Sequence, residues 1–262
     1  MMTHEYHETN RKRWDAGAEQ WARSADARDL WPRCHTEPGL VLHEKELAHL
    51  TDVAGKQVCV LGSGDSQNVF ALAGMGAHVT SVDFSANQLK VARTRAKTLG
   101  LEITFLRADV TDLSALESDT FDLVYTGGHV AVWVSDLETY YAEAVRILKP
   151  GAIFMVSEYH PFRRIWKPSK DELVVGPDYF VRGPFEYGLN DNILRPEPGE
   201  LKSYEFHWTV GDYLNAVINA GCRVVEVAEY GRDAEDWEGA PVAGLPECLL
   251  IVARKETEDN PE

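Results

Sequence analysis

Hydrophobic and polar positions along the chain form a regular alternation of two patterns. From residue 56 onward, short apolar runs of strand length are separated by stretches with helical periodicity. This alternation is typical of a parallel sheet covered by helices. The pattern therefore predicts an α/β fold for most of the chain.

Five strands and three helices are predicted between residues 57 and 159. The strands correspond to QVCVLG, AHVTSVD, ITFLRAD, FDLVYTGG and AIFMVSEY, and the helices to SQNVFALAGMG, SANQLKVARTRAKTLG and LETYYAEAVRILKPG. Gly76 and Gly100 are expected to end the first two helices, and Pro150 with Gly151 the third. A helix in GDYLNAVINAG and strands in CRVVEVAEY and PECLLIVARK complete the predicted core.

The same pattern divides the chain into five segments. Residues 1–55 are expected to be mainly helical, residues 56–159 to form the core, and residues 211–255 to complete it. Residues 160–210 break the alternation and hold six of the 12 prolines, which indicates an ordered insertion. Residues 256–262 are an acidic tail.

Composition and charge favour a small-molecule substrate. The chain has 26 Lys and Arg residues and 42 Asp and Glu residues, giving a net charge of -16. This charge argues against a protein that binds nucleic acid. The cysteines lie far apart, as expected for reduced thiols in a cytoplasmic protein: Cys34, Cys59, Cys222 and Cys248. No apolar run approaches the ~18 residues of a membrane span, and no signal core is evident.

A glycine-containing loop follows the first predicted strand in VLGSGDSQ, residues 60–67. Such a loop meets the positive end of the next helix, and its glycines let a ligand approach the backbone. Gln67 stands where a dinucleotide-binding loop has its third glycine, which disfavours NAD. Asp83 and Asp109 end the next two strands, where carboxylates suit ribose hydroxyls and an exocyclic amine, although Asp109 also suits a turn cap.

Five stretches, taken in order, resemble the class I S-adenosylmethionine-dependent methyltransferases, particularly the UbiE-like group that acts on small molecules. They are VLGSGDSQ, VTSVDFSANQLKVAR, FLRADVTDL, FDLVYTGGHV and AVRILKPGAIFMVSE, within residues 55–160. The resemblance implies a Rossmann-like, seven-stranded, mostly parallel sheet of order 3-2-1-4-5-7-6 whose last strand is antiparallel. It also implies flanking helices, an N-terminal helical lid and an insertion after the fifth strand.

The resemblance further implies S-adenosylmethionine as the cofactor and S-adenosylhomocysteine as the product. By motif position, the donor contacts would be Gly62, Ser63 and Gly64 at the methionine part, Asp83 at the ribose, Phe84 and Gln88 beside the nucleoside, Asp109 and Val110 at the adenine, and Thr126 and Gly127 beneath the sulfonium. Two positions depart from the family pattern. Val60 replaces a common acid, and Ser66 replaces the third glycine.

The acceptor site is expected where the insertion and the N-terminal helices meet the sheet. Its candidate residues are Tyr6, Trp14, Glu158, Tyr159, Arg163 and Arg164. Tyr6 and Trp14 would belong to the implied lid, although a tryptophan at such a position is also common in helix cores. The arginines suit a carboxylate or a planar substrate, but they also suit ion pairs with Glu186 or Glu205.

Methyl transfer from a sulfonium is an in-line displacement, so the protein mainly aligns the nucleophile and excludes water. A base is needed only for an acceptor that must lose a proton early. His160 is the first candidate for that base and His207 the second, although either also suits packing. No metal site is expected, because the His and Cys residues show no ligand spacing.

The sequence leads to the hypothesis of a methyltransferase acting on an O or N atom of a small molecule. An NAD-dependent oxidoreductase, an RNA methyltransferase and a non-catalytic S-adenosylmethionine-binding module are the alternatives.

Overall fold

The computed structural model describes residues 2–65, 67–169, 171–188, 201–231 and 240–257. Its strands, in chain order, are β1 (Gln57–Leu61), β2 (His78–Asp83), β3 (Ile103–Arg107), β4 (Phe121–Gly127), β5 (Leu148–Tyr159), β6 (Trp166–Lys167), β7 (Val174–Val175), β8 (Phe185–Gly188), β9 (Lys202–Glu205), β10 (Cys222–Tyr230) and β11 (Cys248–Lys255). Its α-helices are α1 (Met2–Arg28), α2 (Glu44–Leu47), α3 (Gln67–Gly74), α4 (Ala86–Leu99), α5 (Leu137–Arg146) and α6 (Val210–Asn219).

Seven strands form the core sheet in the order β10-β11-β5-β4-β1-β2-β3. Strands β1 to β5 pair in parallel, whereas β11 is antiparallel to both β5 and β10. With β10 and β11 as the sixth and seventh core strands, this is the predicted order 3-2-1-4-5-7-6 with an antiparallel last strand. The predicted fold class is confirmed.

The sheet is buried on both faces, because successive side chains of a strand point to opposite sides. In β1, Cys59 and Leu61 pack into a cluster that includes α5 and α6, whereas Val58 and Val60 pack into one that includes α3. All four cysteines of the chain are buried and free. None of the described helices is long and apolar enough to cross a membrane.

The boundary between α5 and β5 differs from the sequence prediction. The helix ends at Arg146, and Pro150 with Gly151 lies inside β5. Phe121 pairs with Leu148, but Leu123 pairs with Ile153, so the intervening residues form an irregularity in the strand. Proline is tolerated there because a bulged residue needs no ladder hydrogen bond.

The N-terminal helix α1 crosses the end of the sheet where the parallel strands terminate. The Ser85 hydroxyl donates to Asp15 Oδ1 at 2.7 Å, and Ser85 also caps α4. Farther along α1, Arg95 of α4 donates to the carbonyl of Ala22 at 2.9 Å and pairs with Asp26 at 2.9 Å. These contacts fix α1 over α4 and over the ends of β2 and β3.

The insertion after β5 contains two short antiparallel pairs, β6 with β7 and β8 with β9. The amide of Asn10 in α1 donates to the carbonyls of Tyr204 at 2.9 Å and Trp133 at 3.1 Å, so α1 also contacts the insertion. Residues 189–200 of the predicted insertion and residues 258–262 of the predicted tail lie outside the described residues. The proposed segment boundaries stay predictions.

Candidate active site

A cavity of about 350 Å³ lies at the carboxyl ends of β1, β2, β3 and β4. Ligands of open α/β sheets bind at this edge, and the volume is typical of small-molecule sites. Nine of the ten predicted donor contacts line it: Gly62, Ser63, Gly64, Asp83, Phe84, Gln88, Asp109, Val110 and Gly127. Thr126 is not among the lining residues, because its buried hydroxyl is hydrogen-bonded to that of Tyr140.

The glycine loop needs the conformational freedom of glycine at two positions. Gly62 has a φ of +63° and Gly64 a φ of +53°, both in the left-handed region. A Cβ on Gly62 would lie 2.4 Å from a methyl carbon of Val130. The loop therefore brings its backbone close to the cavity wall, as a ligand-binding loop requires. Ser66 lies outside the described residues.

Asp83 is a buried carboxylate at the end of β2. Its two oxygens accept the backbone N–H groups of Gly64 at 2.9 Å and Ser85 at 2.7 Å. Burial raises the pKa of Asp83 to about 6, and the two N–H donors oppose that rise. Asp83 thus holds the glycine loop and presents a carboxylate to the cavity, where it suits two ribose hydroxyls.

Asp109 combines the two roles considered for it. Its Oδ1 accepts the backbone N–H and hydroxyl of Thr111 at 2.9 and 2.8 Å, which is the turn-capping role. Its Oδ2 lies 2.7 Å from His7 Nδ1 in α1, and the backbone N–H of Ser135 donates to His7 Nε2 at 3.0 Å. The proton of His7 therefore lies on Nδ1 and is donated to Asp109.

The electrostatic surroundings keep Asp109 ionised. Burial alone would raise its pKa, but the hydrogen bonds from His7 and Thr111 outweigh burial, so the pKa lies below its ordinary value. An ionised carboxylate retains acceptor capacity for an exocyclic amine. His7 was not predicted, and only its place on the same helix as Trp14 could have indicated it.

One face of α1 forms the roof of the cavity. The residues of α1 that line it are His7, Trp14, Trp21, Ser24, Ala25 and Arg28. Positions seven apart share a helix face, which explains why two tryptophans at this spacing point the same way. Trp14 stacks on Trp21 with 5.6 Å between ring centroids and meets Trp133 edge-on at 5.4 Å. Of the two readings of Trp14, the structure places it at the cavity.

A second, smaller cavity of about 30 Å³ adjoins the first. Its lining residues are His129, Val132, Glu158, Tyr159, Pro161, Arg164, Phe206, His207, Trp208 and Tyr213. His129 and Tyr159 line both cavities, so these two side chains stand between them. The structure thus brings together predicted acceptor residues from β5 and from the insertion.

His129 is a functional candidate that the sequence prediction missed. It follows the Gly127–Gly128 pair and has a φ of +83°, a strained conformation for a residue with a side chain. Its Nε2 accepts a hydrogen bond from the Arg164 guanidinium. Burial, together with the charge of Arg164, holds its pKa well below the ordinary value, so His129 is neutral. Its position directly after a glycine pair at a strand end is the signal that could have identified it.

Glu158 supports the loop that carries His129. Its Oε1 accepts the backbone N–H of Ala131 at 3.1 Å, and its Oε2 accepts that of Val130 at 3.1 Å. Burial raises the pKa of Glu158 to about 7, although the backbone donors oppose the rise. Glu158 therefore fixes the wall between the two cavities.

His207 and Arg164 share a carboxylate in the second cavity. Arg164 Nη1 lies 3.0 Å from Glu205 Oε2, and His207 Nε2 lies 3.4 Å from the same oxygen. The Arg164–Glu205 ion pair is one of the pairings considered from the sequence. The His207 ring also stacks on Phe185 with 4.2 Å between centroids.

Three of the residues predicted for the acceptor site or as the base line neither cavity. His160 is 1% exposed, its Nδ1 accepts the backbone N–H of Phe162, and its Nε2 lies 2.6 Å from Glu229. Arg163 is buried and pairs with Glu247 at 3.5 Å. Tyr6 packs against Tyr204 and Phe206 of the insertion. These three residues therefore do not contact either cavity, and the structure does not place them where their predicted roles require.

The fold and the cavity define a nucleoside-binding α/β protein of the Rossmann-like type. Residues 59–156 match the family model described as a methyltransferase domain. The crystal structure of an S-adenosylmethionine-dependent methyltransferase from Mesorhizobium loti is similar, with a TM-score of 0.61 and 27% identity over 80% of this chain and 95% of that chain.

Two curated relatives are also similar in sequence. A demethylmenaquinone methyltransferase of Clavibacter sepedonicus is 35% identical over 41% of this chain and 42% of the relative. A ubiquinone biosynthesis O-methyltransferase of Thiobacillus denitrificans is 30% identical over 57% of this chain and 62% of the relative. The chain spans less than two thirds of the length of these relatives.

The family model, the relatives and the fold together support a class I S-adenosylmethionine-dependent methyltransferase of the UbiE-like type. The family and the fold imply S-adenosylmethionine as the cofactor, as predicted, and they disfavour NAD. The site fits this group, because open space lies beside the Cβ positions of Gly64 and Gly128, and a buried carboxylate, Asp83, ends β2 while a half-buried one, Asp109, follows β3. In the described residues, no group of His, Cys, Asp and Glu could hold a metal ion.

Proposed function

We propose that this protein transfers the methyl group of S-adenosylmethionine to an O or N atom of a small molecule whose reacting atom lies at the junction of the two cavities. The observation that carries the proposal is the wall shared by the two cavities, at His129 and Tyr159. A methyl acceptor must contact the methyl carbon of the donor directly, so its reacting atom would lie beside these two side chains and not behind them. The names of the relatives, which concern ubiquinone biosynthesis and demethylmenaquinone, support a small-molecule acceptor.

One further observation disfavours an RNA acceptor. The net charge of -16 opposes association with a phosphate backbone. A cytoplasmic location, expected from the reduced cysteines, stays a prediction.

When bound, S-adenosylmethionine supplies an electrophilic methyl group on a sulfonium. The residues of this chain bind the donor, orient the acceptor toward its methyl group and exclude water. Asp83 and Asp109 would hold the nucleoside of the donor, the glycine loop would lie against its methionine part, and α1 would cover it. Trp133 lines the donor cavity and Tyr159 lines both cavities, and their rings provide apolar walls that suit a reaction in which charge is dispersed.

Of the histidines at the second cavity, His207 is better suited than His129 to take a proton from the acceptor. Arg164 donates to Nε2 of His129, so that lone pair is occupied. His207 Nε2 faces the Glu205 carboxylate, which stabilises a protonated imidazole, and its Nδ1 makes no hydrogen bond within the described residues. We therefore assign the base to His207, the second sequence candidate, for acceptors that need one.

We expect His207→Ala to lower kcat by about 100-fold on an acceptor that must lose a proton, because general base catalysis contributes about that factor. Donor affinity is expected to change less than about threefold, since His207 does not line the donor cavity. Steady-state kinetics and calorimetry measure the two quantities. His78→Ala is the control, because His78 is exposed at the start of β2, at the end of the strand away from Asp83. A larger kcat loss in His160→Ala than in His207→Ala would contradict the assignment.

The proposed function is tested by incubating the protein with S-adenosylmethionine carrying a labelled methyl group and metabolite extracts. We expect label in a small molecule detected by mass spectrometry, and none in RNA recovered from the same extract. Label confined to RNA would contradict the proposal. A His207→Ala sample run in parallel shows whether the labelled product depends on the second cavity.

A further inference from the structure

Two charged residues line the donor cavity but are not among the predicted donor-binding residues. Arg28 is the last residue of α1, and Asp65 follows Gly64 in the glycine loop; both line the cavity. Within the described parts of the chain, the Arg28 guanidinium makes no hydrogen bond or ion pair. A cation that faces a cavity without a partner is available to an anionic group of a ligand.

Asp65 is held in place but keeps acceptor capacity. Its Oδ2 accepts from Arg95 Nη1 at 3.0 Å, whereas its Oδ1 makes no hydrogen bond within the described residues. About a quarter of its side chain, 24%, is exposed. One oxygen is therefore fixed by the protein, and the other is available to a donor group in the cavity.

Arg95 brings Asp65 and the end of α1 to the same part of the cavity. Its side chain is only 6% exposed, and it binds Asp65, Asp26 and the Ala22 carbonyl, all at 2.9–3.0 Å. It also lies over the Trp31 ring, 5.0 Å from the centroid. Arg95 is a positioning residue, because it binds both the loop and the helix without lining the cavity.

The ligand end that lies here follows from the other assignments. Asp109 and Asp83 suit the adenine and ribose, so the amino-acid part of the donor extends toward the glycine loop. That part carries an α-carboxylate and an α-ammonium, and Val60, which lines the cavity, replaces the acid usual in the family pattern. An amino acid bound there needs charge partners other than residue 60.

We propose that Arg28 binds the α-carboxylate of the donor and Asp65 binds its α-ammonium. These two residues form an amino-acid subsite in which Asp65 takes the place of the acid lost at Val60. The proposal rests on the family's cofactor and adds the residues that recognise its zwitterionic end. It predicts that Arg28 and Asp65 discriminate ligands by their amino-acid groups and not by their nucleoside.

Calorimetric titration with three nucleosides tests the subsite: S-adenosylmethionine, its decarboxylated form, and 5′-methylthioadenosine, which lacks the amino-acid part. We expect Arg28→Ala to weaken the binding of S-adenosylmethionine by about 10- to 100-fold, as for loss of a charge-assisted hydrogen bond. The affinities for the other two ligands are expected to change by less than about threefold. We expect Asp65→Asn to weaken both ligands that keep the ammonium, with 5′-methylthioadenosine unchanged.

Arg23→Ala is the matched control, because Arg23 lies on the same helix, is 71% exposed and does not line the cavity. Equal weakening of all three ligands by Arg28→Ala would overturn the proposal, since it would indicate a displaced helix. Unchanged binding of S-adenosylmethionine to both variants would also overturn it. A wild-type protein that is folded by circular dichroism but binds none of the three would instead refute the donor assignment itself.

Discussion

Replacing Asp83 with alanine is expected to weaken S-adenosylmethionine binding by at least about 100-fold. The change removes the carboxylate that suits the ribose hydroxyls, and charge-assisted hydrogen bonds contribute about 1.5–3 kcal/mol each. It also leaves the N–H groups of Gly64 and Ser85 without their acceptor, so the glycine loop loses a support. Calorimetric titration of the two proteins measures the difference.

Asp112→Ala is the matched control for this substitution. Asp112 also accepts a backbone N–H two residues ahead, that of Ser114, but it does not line the donor cavity. We expect its donor affinity to stay within about threefold of the wild type, because no ligand contact is lost. An Asp83→Ala protein that is folded and binds the donor as tightly as Asp112→Ala would contradict the assignment of Asp83 to the ribose.

The same carboxylate predicts how donor binding depends on pH. Ribose hydroxyls donate to the ionised form, and burial raises the pKa of Asp83 to about 6 in the free protein. Lowering the pH through 6 therefore protonates the binding group, and affinity is expected to fall by about tenfold per pH unit below that value. Asp83→Asn should bind weakly at all pH values and lack this dependence.

The topology was readable from the sequence because its signals are local. Each core strand is a short apolar run, and Ser85 and Gly100 mark the two ends of α4 as N-cap and left-handed C-cap. Ordering the strands required the resemblance to a known family, because periodicity alone does not determine which strands pair. The error at Pro150 arose because a helix stop and a bulge in a strand use the same residues.

The parts of the site that were missed depend on contacts between distant residues. His7 forms a hydrogen bond with Asp109, which lies 102 positions away in the sequence, and no local pattern predicts that pair. His160 follows the fifth strand as expected, but Glu229 and the Phe162 backbone occupy its ring nitrogens. Loop glycines and strand-end carboxylates can be located by motif, whereas the direction of a side chain after the strand depends on tertiary packing.

Glu158 gives the second large effect, which is on stability. We expect Glu158→Ala to lower the free energy of unfolding by about 3 kcal/mol at pH 5, because buried N–H groups without an acceptor cost about 1–3 kcal/mol each. The affected donors are those of Val130 and Ala131, next to His129. Chemical denaturation measures the loss, and the exposed Glu138→Ala, at the start of α5, is the control.

The stability of the wild type is also expected to depend on the protonation of Glu158. Burial raises its pKa from 4.5 to about 7, so between these pH values the folded protein holds a proton that the unfolded chain releases. Stability therefore falls as the pH rises from 4.5 to 7, by about 3 kcal/mol from this group, and levels off above pH 7.

Glu158→Gln isolates this contribution, because glutamine does not titrate. The difference in unfolding free energy between wild type and variant should shrink as the pH rises through this window, since only the wild type loses stability from this residue. Denaturation at pH 5, 6, 7 and 8 measures the slope. A difference that is constant from pH 5 to 8 would show that the wild-type carboxylate is ionised throughout. The hydrogen bonds from the Val130 and Ala131 N–H groups would then outweigh burial, and the wall between the two cavities would be held by a charged group throughout this pH range.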